Sequence, residues 1–176
     1  MSPTAPPIDL RPYIRDVPDF PRPGILFKDI TPLLADVAAF RAAIDGLAAP
    51  FRGREIDLVA APEARGFIFA APLALALGTG FVPIRKPGKL PHRTITRDYD
   101  LEYGRDSLHV HEGDLAGRRV LLLDDVLATG GTMRACRDLV ALAGGEVVSF
   151  AFLVELSFLS GREGLGDAEV FSLIRY

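Results

Sequence analysis

A chain of 176 residues with 49% hydrophobic side chains is long enough for one packed domain that buries roughly 70% of its unfolded surface. Its net charge of -3 provides no global basic field and so argues against a nucleic-acid partner, while the single cysteine, Cys136, excludes an internal disulfide framework and fits a reducing, cytoplasmic compartment. The start "MSPTAPPIDL" has neither the basic nor the apolar region of a secretory signal. The most apolar run, "GFIFAAPLALALG" at 66–78, is too short to span a bilayer, so no membrane attachment is expected.

Half of the 14 prolines lie within the first 23 residues, which predicts an extended arm and hood over residues 1–34 rather than a core element. Asp36 reads as a helix cap, and Phe40, Ile44 and Leu47 follow at helical spacing, predicting an amphipathic helix over 37–49. "DLVAAPEARG" is a short buried strand running into a turn. A buried helix containing Pro72 follows, then a second apolar strand, "FVPIRK". Residues 87–111 change to charged sequence punctuated by Gly and Pro, with Thr and Tyr enough for a marginal β-hairpin, and a segment of this length in a compact domain is a functional loop. "RVLLLDD" has the continuous apolar character of a strand buried on both faces of a parallel sheet. Met133, Cys136, Val140 and Ala143 mark the inner face of a helix that stops at Gly144 and Gly145. "VVSFAFLVE" is a further buried strand and "EVFSLIRY" an edge strand. The alternation predicts an α/β fold, a mostly parallel twisted sheet flanked by helices, with an N-terminal hood and a mobile hairpin loop over 87–111.

The stretch "VLLLDDVLATGGT", residues 120–132, carries the chemistry. Ligands of open α/β sheets bind beyond the carboxyl ends of the strands, where Asp124 and Asp125 fall. The small-residue loop Ala128, Thr129, Gly130, Gly131 and Thr132 offers consecutive amides and two hydroxyls at the start of a helix, which suits a phosphate. Carboxylates and phosphate repel, so the two halves must face different parts of one ligand. A sugar with vicinal hydroxyls and a terminal phosphate resolves the conflict, the acids accepting from hydroxyls and the loop donating to phosphate. Neither GxxxxGK[ST] nor GxGxxG is present.

This stretch resembles the phosphoribosyl-pyrophosphate (PRPP) motif of type I phosphoribosyltransferases. "DFPRPGILFKDITPLL", "EARGFIFAAPLALALG", "IRKPGKLP" and "YDLEYGRDSL" are similar, in order and spacing, to the members of that family that use adenine. The resemblance covers most of the chain and implies transfer of phosphoribose from PRPP to adenine, releasing pyrophosphate and giving AMP. It also implies a homodimer and Mg²⁺ held by the substrate diphosphate, with no dedicated protein ligand.

The family resemblance implies the following roles. Asp124, Asp125 and the 128–132 loop hold ribose and 5′-phosphate. Glu63, Ala64 and Arg65, in a turn with a cis peptide between Glu63 and Ala64, receive the pyrophosphate with Arg85, Lys86 and Lys89, some of which reach a neighbouring subunit. Glu102 of "LEYG" is the general acid/base for the purine imidazole edge, worth roughly 10²- to 10⁴-fold in rate. Tyr103, with Tyr99, closes the loop. Phe27 stacks on the base while the main chain of Leu26 and Lys28 pairs with its Watson–Crick edge. A carbonyl accepting from the 6-amino group and an amide donating to N1 reject a 6-oxopurine, which presents the opposite pattern, by up to about 10⁴-fold.

Two rival readings stand beside this one. A xanthine or other 6-oxopurine transferase is the nearer, separated only by the hood. A non-catalytic, PRPP-sensing regulator that binds RNA is the further, and it needs a basic face and lacks the hood and "LEYG" segments.

Overall fold

The computed structural model describes residues 8–101 and 104–176; the first seven residues of the expected arm lie outside it, as do Glu102 and Tyr103. The chain divides into two compact units, Met1–Gly46 and Leu47–Tyr176.

In the first unit the proline-rich segment carries two short paired strands. Strand β1 (Arg15–Pro18) pairs antiparallel with β2 (Leu26–Asp29), setting Asp16 opposite Lys28 and Val17 opposite Phe27. The prolines fall where a missing N–H is tolerated: Pro18 ends its strand, and Pro21, preceded by a cis peptide, lies in the connection. That connection is tied by the Gly24 amide donating to Asp19 Oδ1 at 2.7 Å and by Phe20 meeting the edge of Phe27, ring centroids 5.1 Å apart. Lys28 is buried and its ammonium donates to Asp16 Oδ1 at 2.6 Å. Asp29 starts helix α1 (Thr31–Ala35), accepting from the Thr31 amide and hydroxyl, each at 2.9 Å, and from Arg15 Nε at 3.0 Å. Helix α2 (Val37–Ala48) begins as its sequence predicts, with Asp36 Oδ1 accepting from the amides of Ala38 and Ala39 at 2.9 and 2.8 Å.

The second unit is built on β3 (Leu58–Pro62), α3 (Arg65–Leu77), β4 (Gly80–Ile84), β5 (Thr94–Leu101), β6 (Gly104–His111), β7 (Arg119–Leu127), α4 (Gly131–Leu142), β8 (Glu146–Glu155) and β9 (Glu169–Arg175). Five strands form one sheet in the order β4-β3-β7-β8-β9, every pairing parallel. β9 takes the edge, as its mixed pattern predicts. β7 runs two residues beyond "RVLLLDD", to Leu127, so both aspartates lie within the paired strand, not after it.

Alternation along the central strands separates two packed faces. Ala60, Val120, Leu122, Phe150 and Phe152 join one cluster with Met133, Cys136, Leu139 and Val140 of α4. α3 packs on β3 and β7 with Phe69, Ala70 and Leu73 buried. Within the segment at 87–111 the expected hairpin forms, β5 and β6 pairing from Thr94 opposite His111 to Leu101 opposite Gly104. Leu108 and Val110 enter the α4 cluster with Ile95 and Tyr99 against it, which supplies the apolar anchorage a two-stranded ribbon lacks alone.

The Asp29 cap makes the first unit sensitive to acid. The Thr31 amide, followed by the Arg15 guanidinium, pulls its carboxyl from the usual 3.8 down to about 2. A lowered folded-state pKa stabilises above the ordinary value and is lost as pH falls through the folded one. Thermal unfolding of the wild type should therefore lose, between pH 4 and pH 2, an increment of stability that Asp29→Asn lacks at every pH; parallel curves for the two proteins would remove the cap's contribution.

Candidate active site

The strand order reverses between β3 and β7, because β4 lies on one side of β3 and β7 on the other. At such a point the loops leaving neighbouring strands diverge and open a crevice. The residues that follow β3 and close β7 line it. A cavity of about 460 Å³ is bounded by Pro62, Glu63, Ala64 and Arg65 from the first, Asp124 and Asp125 from the second, Thr132 from α4, Lys86 after β4, and Tyr99, Asp106 and Leu108 from the hairpin. Next to it a smaller recess of about 120 Å³ is formed by Asp124 and residues 126–133.

β7 carries its two acids into the sheet's carboxyl edge. Asp125 is buried, and Arg65 Nε stands 2.9 Å from its Oδ2. Asp124 is half-buried, and its Oδ1 accepts from the Asp125 amide at 2.9 Å. Burial, followed by the neighbouring Asp125 charge, pushes Asp124 well above the usual carboxylate range. Burial raises Asp125 too, but the Arg65 guanidinium opposes it. Two acids a peptide apart in a desolvated strand end do not both ionise freely; the one beside the cation carries the charge more readily.

The approach of α3 depends on Gly66. A Cβ there would stand 3.1 Å from Asp124 Oδ1, 3.2 Å from the Ala61 Cβ and 3.3 Å from the Leu123 carbonyl oxygen. The peptide between Glu63 and Ala64 is cis, as the resemblance implies. The Glu63 side chain turns away from anion binding: Oε2 accepts from Arg85 Nε and Oε1 from the Lys86 amide, both at 2.7 Å. Burial would raise this carboxyl, but Arg85 and the Lys86 amide outweigh it and hold it below the usual value. Arg85 is thus occupied by Glu63 and does not line the cavity, while Lys86 does. Lys89 sits on the exposed turn after it, its amide donating to the Lys86 carbonyl at 3.3 Å.

The loop at 128–132 lines the smaller recess. Gly130 adopts φ 79° and caps α4, whose amides open into the recess. A Cβ on Gly130 would collide with the Gly161 carbonyl oxygen, so the position needs glycine for space as well as for its backbone angle. Arg134 Nη1 donates to the Thr129 carbonyl at 3.2 Å.

Asp106 and the chain of contacts through it are missing from the sequence reading. Lys86 Nζ lies 3.1 Å from Asp106 Oδ2, and the Tyr99 hydroxyl donates to the same oxygen at 3.4 Å. Tyr99 also bonds the Thr132 hydroxyl; burial first, then the Asp106 charge, pushes its phenol up to about 12. The signal was present as the alternation Asp106, Leu108, Val110, which puts a carboxylate on the packed face of β6. Glu102 and Tyr103, the residues expected to act on the base and close the loop, lie outside the described residues. Leu26, Phe27 and Lys28 belong to β2 of the first unit, in a two-stranded sheet that leaves one edge of that strand without a strand partner.

Comparison with known proteins agrees with this geometry. The family described as "Phosphoribosyl transferase domain" matches residues 29–167. The chain is 59% identical over 162 residues to an adenine phosphoribosyltransferase of Thermobifida fusca, covering 92% of each. Its structure is similar to the crystal structure of adenine phosphoribosyltransferase from Thermoanaerobacter pseudethanolicus (TM-score 0.91, 55% identity, 95% of this chain and 98% of that one). It is also similar to that of the Saccharomyces cerevisiae enzyme complexed with D-2,5-dideoxy-2,5-imino-altritol 1,6-bisphosphate and adenine (TM-score 0.87, 40% identity, 93% and 96% covered).

Replacing Gly66 by Ala should cost about 1–3 kcal/mol in denaturant unfolding, because the Ala61 Cβ and the Leu123 carbonyl oxygen are fixed to the backbone of paired strands and cannot retreat. The variant should also lose PRPP affinity through displaced Asp124; a variant as stable as wild type with unchanged PRPP binding would show that α3 has room to shift.

Proposed function

The chain belongs to the adenine phosphoribosyltransferase family, and from that premise we propose how its residues share the reaction. The enzyme transfers the phosphoribosyl group of PRPP to adenine, giving AMP and pyrophosphate in a purine-salvage step. Chemically, the bond from C1′ of the ribose to the diphosphate oxygen breaks, the bond from C1′ to adenine N9 forms, and N9 loses its proton. The oxocarbenium-like transition state needs neutralisation of the departing charge and close positioning of the two reactants, not a protein nucleophile.

The observation that carries the assignment of roles is the segregation of charge around the crevice. Asp125 lines only the larger cavity, with Arg65 and Lys86, and Asp124 lines both, whereas the turn Ala128, Thr129, Gly130, Gly131 and Thr132 walls the smaller recess, whose lining includes no cationic side chain. The acids accept from the ribose hydroxyls, and the turn holds the 5′-phosphate through main-chain N–H groups and the α4 N-terminus. A carboxyl raised by burial is no handicap here, since a hydroxyl ligand is bound by either protonation state.

Ala64, Arg65 and Lys86 face the cavity where the diphosphate departs, supported by Arg85 and Lys89. Glu63 orders that group, its carboxylate holding Arg85 and the Lys86 amide in place. The donor set fits Mg²⁺ carried by the substrate: the cavity presents carboxylate oxygens for a hydrated cation beside the cationic groups that a diphosphate requires. When bound, the ion would neutralise the leaving diphosphate. Glu102 takes the N9 proton, Tyr103 closes the loop, and Leu26, Phe27 and Lys28 read the adenine.

We further infer a homodimer, supported by Leu75 and Ile68, which α3 leaves exposed, and cytoplasmic residence, supported by a free, buried Cys136.

Two measurements test this reading. With PRPP and Mg²⁺, adenine alone among adenine, hypoxanthine, guanine, xanthine and orotate should release pyrophosphate quickly; efficient turnover of a 6-oxopurine would overturn base reading by the hood. Glu102→Gln should lower kcat by roughly 10²- to 10⁴-fold while PRPP affinity stays close to wild type. Undiminished turnover would strip Glu102 of its role.

A further inference from the structure

Residues 157–164, "SFLSGREG", contribute nothing to the cavity walls, yet they press on the back of the 128–132 turn. A Cβ on Gly161 would collide with the Ala128 carbonyl oxygen and stand 2.9 Å from Leu127 Cδ1, and the Gly161 carbonyl in turn occupies the space a Gly130 side chain would need. The two glycines therefore approach backbone to backbone, a contact that an ordinary residue at either position would open.

What holds Gly161 there is the residue after it. Arg162 donates from Nε to Glu155 Oε1 and from Nη2 to Glu155 Oε2, both at 2.6 Å, and reaches the Val170 carbonyl at 2.8 Å and Ser172 Oγ at 3.2 Å. Glu155 closes β8, and its buried carboxylate also lies 3.4 Å from Arg175 Nε. A bidentate fork of this kind fixes orientation as well as distance, which a single ammonium contact does not. From the other side α4 grips both segments: Arg137 Nη1 donates to the Gly164 carbonyl at 3.1 Å and Arg134 Nη1 to the Thr129 carbonyl at 3.2 Å. A Cβ on Gly164 would run into that Arg134 guanidinium. The C-terminal end of the segment is thus held at Arg162 and Gly164, immediately after the glycine that touches the loop.

We propose that Glu155 and Arg162 are positioning residues for PRPP: they clamp Gly161 against Ala128 and Gly130 and so set the curvature of the turn that holds the 5′-phosphate. This rests on the reading of 128–132 as the phosphate cradle. The clamp acts through the loop and touches no substrate. Its effect is specific to ligands with a 5′-phosphate, so PRPP and AMP feel it and pyrophosphate and adenine do not.

The test compares Gly161→Ala, Arg162→Lys and Ser172→Ala with Thr132→Ala, a change in the cradle itself, after thermal unfolding has established which variants are folded. Gly161→Ala should raise KM for PRPP about 10- to 100-fold, the scale set by an ångström of misplacement. AMP affinity should fall in parallel, while KM for adenine and the affinity for pyrophosphate stay within twofold. Arg162→Lys, which keeps the charge and loses the fork, should shift the same two quantities by a smaller factor in the same ratio. Ser172→Ala removes one of four guanidinium contacts and carries the test if the first two variants fail to fold. A turn that only stabilises the fold would instead lower the active fraction, reducing kcat at unchanged KM for PRPP; that result overturns the proposal, as does equal loss of AMP and pyrophosphate binding. If Thr132→Ala raises KM for PRPP and the clamp variants do not, the clamp alone falls. If Thr132→Ala also leaves PRPP binding unchanged, the cradle reading falls and the clamp with it.

Discussion

The rest of the catalytic unit is arranged around two carboxylates forced together at the desolvated end of β7. Adjacent acids repel, and burial adds to the cost of ionising either. The fold tolerates the pair because Arg65, delivered by the first turn of α3, stands 2.9 Å from Asp125, while Asp124 takes up the Asp125 amide. The first of these compensations requires α3 to come close to the strand, and that closeness requires Gly66. One electrostatic problem thereby sets the position of a helix.

A second row of charges runs across the cavity from the acid pair and is balanced internally. Glu63 holds Arg85 and the Lys86 amide, Lys86 reaches Asp106, Asp106 receives the Tyr99 hydroxyl, and Tyr99 bonds Thr132 at the start of α4. The row links the turn after β3, the segment after β4, the β5–β6 hairpin and the helix that begins at the phosphate turn. A highly charged substrate such as PRPP enters a site whose cations are already oriented by carboxylates, which lowers the reorganisation needed when charge develops on the leaving group. The hairpin is seated by the same row and by Leu108 and Val110 beneath it.

The turn at 128–132, proposed to hold the 5′-phosphate, solves a different problem. Loops of small residues lose much conformational entropy when fixed, and this one has no side chain of its own large enough to anchor it. Its rigidity comes from outside, from the Arg134 bond to the Thr129 carbonyl and from the backbone of Gly161 packed behind it. Ligand binding then draws on order already present in the folded protein.

The sequence alone determined the elements whose causes are local. Periodicity and caps predicted α2 with its Asp36 cap, the α4 core face and the buried β7, because 3.6-residue and two-residue spacings are properties of adjacent residues. The charge conflict within "DDVLATGGT" pointed to two different ligand environments before any fold was known, and 124–125 and 128–132 line adjoining recesses. Proline density at 15–29 marked a segment outside the core but did not show the pairing of 15–18 with 26–29, since it records where N–H groups are missing and not whether neighbouring residues pair. Tertiary structure decided what depends on residues far apart in the chain. It gave Arg85 to Glu63, Arg65 to Asp125 and Lys86 to Asp106, and it brought Gly161 against Gly130. A guanidinium in a sequence can pair with any carboxylate, and only the packing of strands and helices removes all partners but one.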